Sequence, residues 1–216
     1  MSSTQIARHY QLERGHYWYA RCKLASDPLY AGVADALRDT TQPLLDLGCG
    51  LGLLAQTLRE QGFLAPYRGI DNDVMKIAAA RAAAQEAGLA QVQFDCIDLA
   101  HESFPVHHGS VALLDVLQFL PRAAALQLLD RAMVCLAPGA HLVIRSGLDQ
   151  PGLRMRFTRA IDAFSRAAGW MNSSAHWYPG REELSGLLRE RGLQATFAQT
   201  RGWLPFDNWL IVATRA

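Results

Sequence analysis

Apolar positions along this chain follow two rhythms. Short unbroken runs read as strands buried on both faces, and apolar residues three and four apart read as helices burying one stripe. Strand-like runs fall at 43–47, 67–71, 92–94, 110–115 and 140–145. The helical rhythm fills the gaps between them: 53–61, 73–87 and 121–136, the last with Leu126, Leu129, Met133 and Leu136 as its buried stripe. Punctuation agrees with this division. Asp73 suits a helix cap, Pro121 suits a first helical turn, and Gly88 and Ala137-Pro138-Gly139 are stops. A further helix spans 181–191 and ends at Gly192, and 194–200 and 208–214 read as two strands joined by a loop with Gly202 and Pro205. Strand and helix alternating in this way predict a doubly wound α/β sheet.

Two stretches stand outside the alternation. Residues 4–24 mix aromatic and basic side chains, too polar for a buried helix and too aromatic for a disordered tail. They read as a helical segment over the mouth of a pocket. Ser26 or Asp27 then caps a helix with Pro28 at its first position and Leu29, Val33, Ala36 and Leu37 inside, so that residues 1–40 form a helical lid. The second stretch, 151–178, carries arginines and aromatics, with a helix over 152–168. A charge run is most simply a solvated face. His176-Trp177-Tyr178-Pro179 differs, because a titratable group between aromatics suits an acid, a base or a substrate clamp. The simpler reading is a packed loop with a satisfied histidine. No internal repeat or linker divides residues 1–216, so one domain is expected.

The candidate chemistry begins where the first strand ends. Asp46-Leu47-Gly48-Cys49-Gly50-Leu51-Gly52 places three glycines at alternate positions between a strand and a helix. Glycines permit a tight turn and let a ligand approach the main chain. The spacing is not the G-x-G-x-x-G of dinucleotide folds, and no Lys-Ser/Thr pair follows as in a P-loop. Asp46 would repel a pyrophosphate but attract an ammonium or sulfonium group. Asp71 ends the second strand, 25 positions later, where one carboxylate can accept hydrogen bonds from two vicinal ribose hydroxyls. Asp115 ends the fourth strand, at the carboxyl edge where open α/β sheets bind ligands.

Composition narrows the classes. With 216 residues and half of them hydrophobic, the chain can bury a sizeable core. A net charge of +1 gives no nucleic-acid footprint. Cys22, Cys49, Cys96 and Cys135 form no C-x-x-C pair, which speaks against zinc and for reduced thiols in a cytoplasmic protein. His101, His107 and His108 lack a ligand pattern around them, so no metal site is expected. No apolar signal core and no uninterrupted 18-residue apolar run occur, so neither a signal peptide nor a membrane span is expected.

The run Asp46–Gly52, followed in order by Asp71, Asp98 and the Pro138-Gly139 before the fifth strand, resembles the class I S-adenosylmethionine (SAM) methyltransferases. The resemblance implies a Rossmann-like seven-stranded doubly wound sheet with an antiparallel last strand, helices on both faces, and SAM as cofactor. It implies cofactor contacts from Asp46, Gly48, Cys49, Gly50, Gly52, Asp71 and Asn72. Asp98, in preference to Asp95, would take the adenine amino group beside Leu99. Asp115 would border the transferred methyl, orienting either the SAM amino group or the acceptor, and Arg21 or Lys23 would meet the SAM carboxylate. Gln118 departs from the histidine usual in such proteins. The stretches 17–28, 111–121 and 205–212 are similar to small methyltransferases encoded with aryl-polyene or fatty-acid-like pathways, which implies an aryl or acyl acceptor, free or on a carrier protein. His176 and Tyr178 are then the candidate acid/base residues, with His16 as the spare. Two other classes stay open: a nicotinamide-dependent oxidoreductase, and a SAM-binding regulatory protein without transferase activity.

Overall fold

The structure is a computed structural model and describes residues 3–99, 105–149, 177–200 and 207–215. Three N-terminal helices, α1 (Ser3–Arg8), α2 (Arg14–Ser26) and α3 (Leu29–Ala36), precede the sheet. Then follow β1 (Leu44–Leu47), α4 (Leu53–Glu60), β2 (Tyr67–Asp71), α5 (Val74–Glu86), β3 (Val92–Cys96) and β4 (Ser110–Leu114). A short 3-10 turn (Leu117–Phe119), α6 (Arg122–Val134), β5 (His141–Gly147), α7 (Arg181–Glu190), β6 (Leu193–Thr200) and β7 (Asn208–Arg215) complete the described elements.

One seven-stranded sheet has the order β3-β2-β1-β4-β5-β7-β6. The first five strands pair in parallel, and β7 runs antiparallel to both β5 and β6. The strand order reverses between β1 and β4, which is the switch point where doubly wound sheets open a crevice. Side chains alternate across the sheet. Leu45, Leu47, Val111 and Leu113 pack against α6 and α7, and Leu44, Ala112 and Val143 pack against α3, α4 and α5. Both faces are covered, which is why the central strands read as unbroken apolar runs.

Several expectations change in detail. The N-terminal aromatic stretch is two helices with a turn between them. The buried stripe of α6 runs through Ala125, Leu128, Leu129, Ala132 and Met133, with Leu126 only half-buried. β3 extends two residues past the expected 92–94, so Asp95 lies within the strand, where Arg68 of β2 pairs with it at 2.6 Å. The helix expected over 152–168 lies outside the described residues.

Leu113 is fully buried at the centre of this sheet. Truncating it leaves a cavity that close-packed neighbours refill only in part. Leu113→Ala is expected to cost about 2–5 kcal/mol of unfolding free energy, read as a lowered urea midpoint with an unchanged slope.

Candidate functional site

The turn after β1 is shaped by what crowds it. Gly48, Gly50 and Gly52 all have positive φ, at 82°, 54° and 71°. A Cβ on Gly48 would sit 2.3 Å from Cγ2 of Val116, and one on Gly52 would sit 2.6 Å from the Phe94 ring. Gly50 differs, because among the described residues a Cβ there would meet nothing within 4 Å. The turn is therefore wedged at both ends and open in the middle, on the side from which a ligand can reach the main chain. Backbone bonds fix it to β2, with the N–H groups of Gly48 and Cys49 both donating to the Ile70 carbonyl, at 2.7 and 2.9 Å.

Asp71 ties the same turn from the end of β2. Its Oδ2 accepts the Gly50 N–H at 2.9 Å, and its Oδ1 accepts the Asp73 N–H at 3.0 Å. Each oxygen keeps a second lone pair. Asp73 caps α5, accepting from the N–H groups of Met75 and Lys76. Asn72, between them, accepts from the Cys96 thiol at 3.6 Å. The Ile97 N–H donates to the Asp71 carbonyl at 3.0 Å, which brings the segment carrying Asp98 and Leu99 alongside the end of β2. Both are half-buried, and Leu99 packs on the sheet core.

Asp46 is buried in β1, 2% exposed. Tyr67 donates to its Oδ2 at 2.5 Å, while its Oδ1 is buried with no hydrogen-bond partner among the described residues. Burial is the main reason its carboxyl is pushed up to about 7; the Tyr67 hydrogen bond opposes the rise and Asp71 adds to it. Burial, followed by Asp46 and Asp71, pushes the Cys49 thiol well up. The Cys49 side chain packs against the buried cluster of α3, α4 and α5.

A four-charge cluster lies at the carboxyl ends of β4 and β5. Arg145, whose side chain is 5% exposed, pairs with Asp115 and, at 3.0 Å, with Asp27. Lys23 completes it, 2.8 Å from Asp27 and 3.6 Å from Asp115. Burial lowers the affinity of Lys23 and Arg145 for their protons, but Asp115 and Asp27 outweigh it and hold both above their usual values. The two cations likewise hold Asp27 below its usual value against burial. Asp115 has φ of 59°, a left-handed conformation that costs a non-glycine residue energy and marks functional sites. Its N–H donates to the Arg145 carbonyl at 3.0 Å.

The structure brings Asp46, Gly48, Cys49, Gly50, Gly52, Asp71 and Asn72 together around one turn. Asp115 stands across it, because Val116 next door is what crowds Gly48. Arg21 is placed otherwise: its guanidinium lies over the Trp18 ring, 5.2 Å from the centroid, while Lys23 takes the position in the charge cluster. Tyr178 is buried with its ring against Gly147, and the Trp177 N–H donates to the Gln118 carbonyl at 3.5 Å. His176 lies outside the described residues. His16 pairs with Glu13 of its own helix region at 3.0 Å. Tyr67, Asp27 and Arg145 were not singled out for the site by the sequence, although a charged residue closing an apolar strand, as Arg145 does, was a signal. A groove lined by Arg81, Gln85, Leu89 and Gln93 shares no residue with the glycine turn. Among the described residues no cluster of three or more His, Cys, Asp or Glu could hold a metal, and no helix is long and apolar enough to cross a membrane.

A family model described as a methyltransferase domain matches residues 17–196. Among curated proteins, the chain is 31% identical over 133 residues to a carboxy-S-adenosyl-L-methionine synthase of Geobacter metallireducens, covering 58% of this chain and 53% of that one. It is 28% identical over 148 residues to a ubiquinone biosynthesis O-methyltransferase of Idiomarina loihiensis, covering 68% and 58%. The matches thus span less than two thirds of each of these relatives. Among solved structures, magnesium protoporphyrin IX methyltransferase from Synechocystis PCC 6803 with bound SAM superposes with TM-score 0.68 at 17% identity, over 100% of this chain and 98% of that one. An O-methyltransferase family 2 protein from Planctomyces limnophilus in complex with apigenin gives 0.69 at 20%, over 100% and 62%. At these identities the likeness is one of fold.

The raised Asp46 has a consequence for stability. Its folded-state pKa of about 7 exceeds the unfolded value of about 3.9, so the folded ligand-free protein retains a proton that the unfolded chain gives up. The stability due to this proton is present at pH 4 and is lost as pH rises through 7, at up to roughly 1.4 kcal/mol per pH unit. Asp46→Asn removes the dependence. Melting curves of the two proteins from pH 5 to 8 should show the variant gaining steadily on the parent up to about pH 7 and no further above it.

Proposed function

Since the chain belongs to the class I SAM-dependent methyltransferases, we propose that it transfers the methyl group of SAM to a small aryl or acyl acceptor. The observation that carries the cofactor reading is the glycine turn itself. Asp71 ties it from one side, its middle is open at Gly50, and the buried Oδ1 of Asp46 has no hydrogen-bond partner among the described residues. These features fit a cationic nucleoside. Asp71 keeps lone pairs for the ribose hydroxyls. Asp46 offers a negative charge that burial disfavours until a cation arrives. Asn72 would sit beside the ribose, and Asp98 and Leu99 would take the adenine edge and face. Cys49, with Gly48 and Gly52, lines the turn.

Bound SAM supplies an activated methyl, so the protein has only to align an in-line displacement and keep the site dry. Asp115 stands at the acceptor side, held by Arg145 and Lys23, and accepts a hydrogen bond from the cofactor amino group or from the acceptor. In place of Arg21, Lys23 is the cation near this edge. Tyr178, and His176 beyond the described residues, are the residues proposed to orient the acceptor or take its proton. An oxygen acceptor on an aromatic ring suits the aromatic pair Trp177 and Tyr178. It also agrees with relatives that act in ubiquinone biosynthesis or were crystallised with apigenin. We place the acceptor in a polyene- or fatty-acid-like pathway, free or carrier-bound, and the protein in the cytoplasm.

Thermal unfolding with SAM, S-adenosylhomocysteine or NADH tests the cofactor. A ligand at 100 times its Kd adds about 2.7 kcal/mol, roughly 5–10 °C for a domain of this size. The two sulfur ligands are expected to give that shift, and Asp71→Ala to weaken both at least about tenfold through the lost ribose bonds. A shift with NADH alone would identify an oxidoreductase. S-adenosylhomocysteine release is then followed over phenols and aryl or acyl carboxylates, free and as pantetheine thioesters. Binding without turnover on any of them would favour a SAM-binding regulator.

A further inference from the structure

The family match begins at residue 17, so α1 and the turn after it lie ahead of it. That turn nevertheless reaches the glycine turn. Tyr10, 3% exposed, donates its hydroxyl to the Leu51 carbonyl at 2.7 Å. Leu51 stands between Gly50 and Gly52. Beside it, His9 Nδ1 lies 3.2 Å from Oε1 of the buried Gln56 on α4, whose Nε2 donates to the Ala83 carbonyl of α5 at 3.1 Å. Ile6, Ala7, Tyr10 and Ala20 form one buried cluster with Leu51 and Ala83. The segment is packed into the core under the turn.

Tyr10 and Asp71 bond to neighbouring residues of the turn. Asp71 takes the Gly50 N–H, and Tyr10 holds the Leu51 carbonyl. Together these bonds bracket the Gly50–Leu51 peptide, the part of the turn that borders open space. Glycine backbones have many conformations open to them, and a bond on each side of the peptide restricts that freedom. We infer that Tyr10 is a positioning residue for the cofactor loop, holding the Gly50–Leu51 peptide in the orientation that receives SAM without touching SAM itself. This rests on the SAM reading of the site given above.

The test is S-adenosylhomocysteine binding, by calorimetry and stopped-flow at about 20 °C, well below the melting range of a typical domain. Tyr10→Phe removes only the hydroxyl. It is expected to raise Kd about three- to tenfold, the range of one net hydrogen bond, chiefly through faster dissociation. Combined with Asp71→Asn, the effect should be non-additive, because the two bonds fix the peptides on either side of Gly50–Leu51. Ile6→Ala serves as the packing control: it loosens the same cluster, lowers the melting temperature, and leaves Kd in place. If Tyr10→Phe lowers only the melting temperature, or if Ile6→Ala weakens binding as much, Tyr10 is structural and the inference fails. If the unaltered protein does not bind S-adenosylhomocysteine, the cofactor reading falls first and this inference with it.

Discussion

The turn after β1 fits its place only because Gly48 and Gly52 lack a Cβ. Val116 presses on Gly48 from the loop after β4, and Phe94 presses on Gly52 from β3. These neighbours come from strands on either side of β1, so the sheet order and the turn constrain each other. The parallel register that aligns Asp46 with Gly69 and with Ala112 also sets how far Asp71 and Asp115 project beyond the turn. A left-handed backbone at three alternate positions is costly for any residue but glycine. Wedging at both ends means that, once folded, the turn has little freedom left. The open middle at Gly50 is what remains for a ligand.

Charge is distributed around this turn in two distinct ways. On the β1–β2 side it is carboxylates and phenols: Asp46 with Tyr67, Asp71 with the Gly50 N–H, and Tyr10 with the Leu51 carbonyl. On the β4–β5 side it is a balanced set, Lys23 and Arg145 with Asp27 and Asp115. Burying charge is expensive unless each partner is matched. Removing one member of the balanced set would leave another uncompensated, so the N-terminal helices that contribute Lys23 and Asp27 are bound into the site electrostatically as well as by packing. Asp115 pays for its left-handed backbone with that anchorage.

The sheet and the cofactor turn were legible in the sequence because their signals are local. An apolar run, alternate glycines and a helix stripe each lie within about ten residues, and steric rules for backbone and side chain act at that range. The side chains that complete the site were not legible, because they meet across the chain. Tyr67 reaches Asp46 over 21 positions, Arg145 reaches Asp115 over 30, and Tyr10 reaches Leu51 over 41. The different surroundings of Arg21 and Lys23 were within reach, since neighbours on a helix lie three and four apart. Lys23 has Asp27 four residues on, and Arg21 has Trp18 three residues back. The two extra residues of β3 were hidden by Asp95, whose charge reads as a loop until its partner Arg68 is seen on the neighbouring strand.

The carboxylates also argue for the kind of ligand the turn accepts. A pyrophosphate at this position would meet Asp46 and Asp71 as like charges, and placing it would add repulsion to the cost of burying Asp46 ionised. A sulfonium or ammonium reverses both terms. Near such a cation the charged form of Asp46, which burial disfavours in the ligand-free fold, would become favourable. With SAM seated as proposed, methyl transfer would leave the sulfur neutral and remove its charge attraction to Asp46, while Asp71 would keep its lone pairs for the ribose. On that reading Asp46 would respond to the charge of the cofactor and Asp71 to its ribose. A buried acid lacking a partner for one oxygen, costly in the ligand-free fold, has in this arrangement a physical reason to be there.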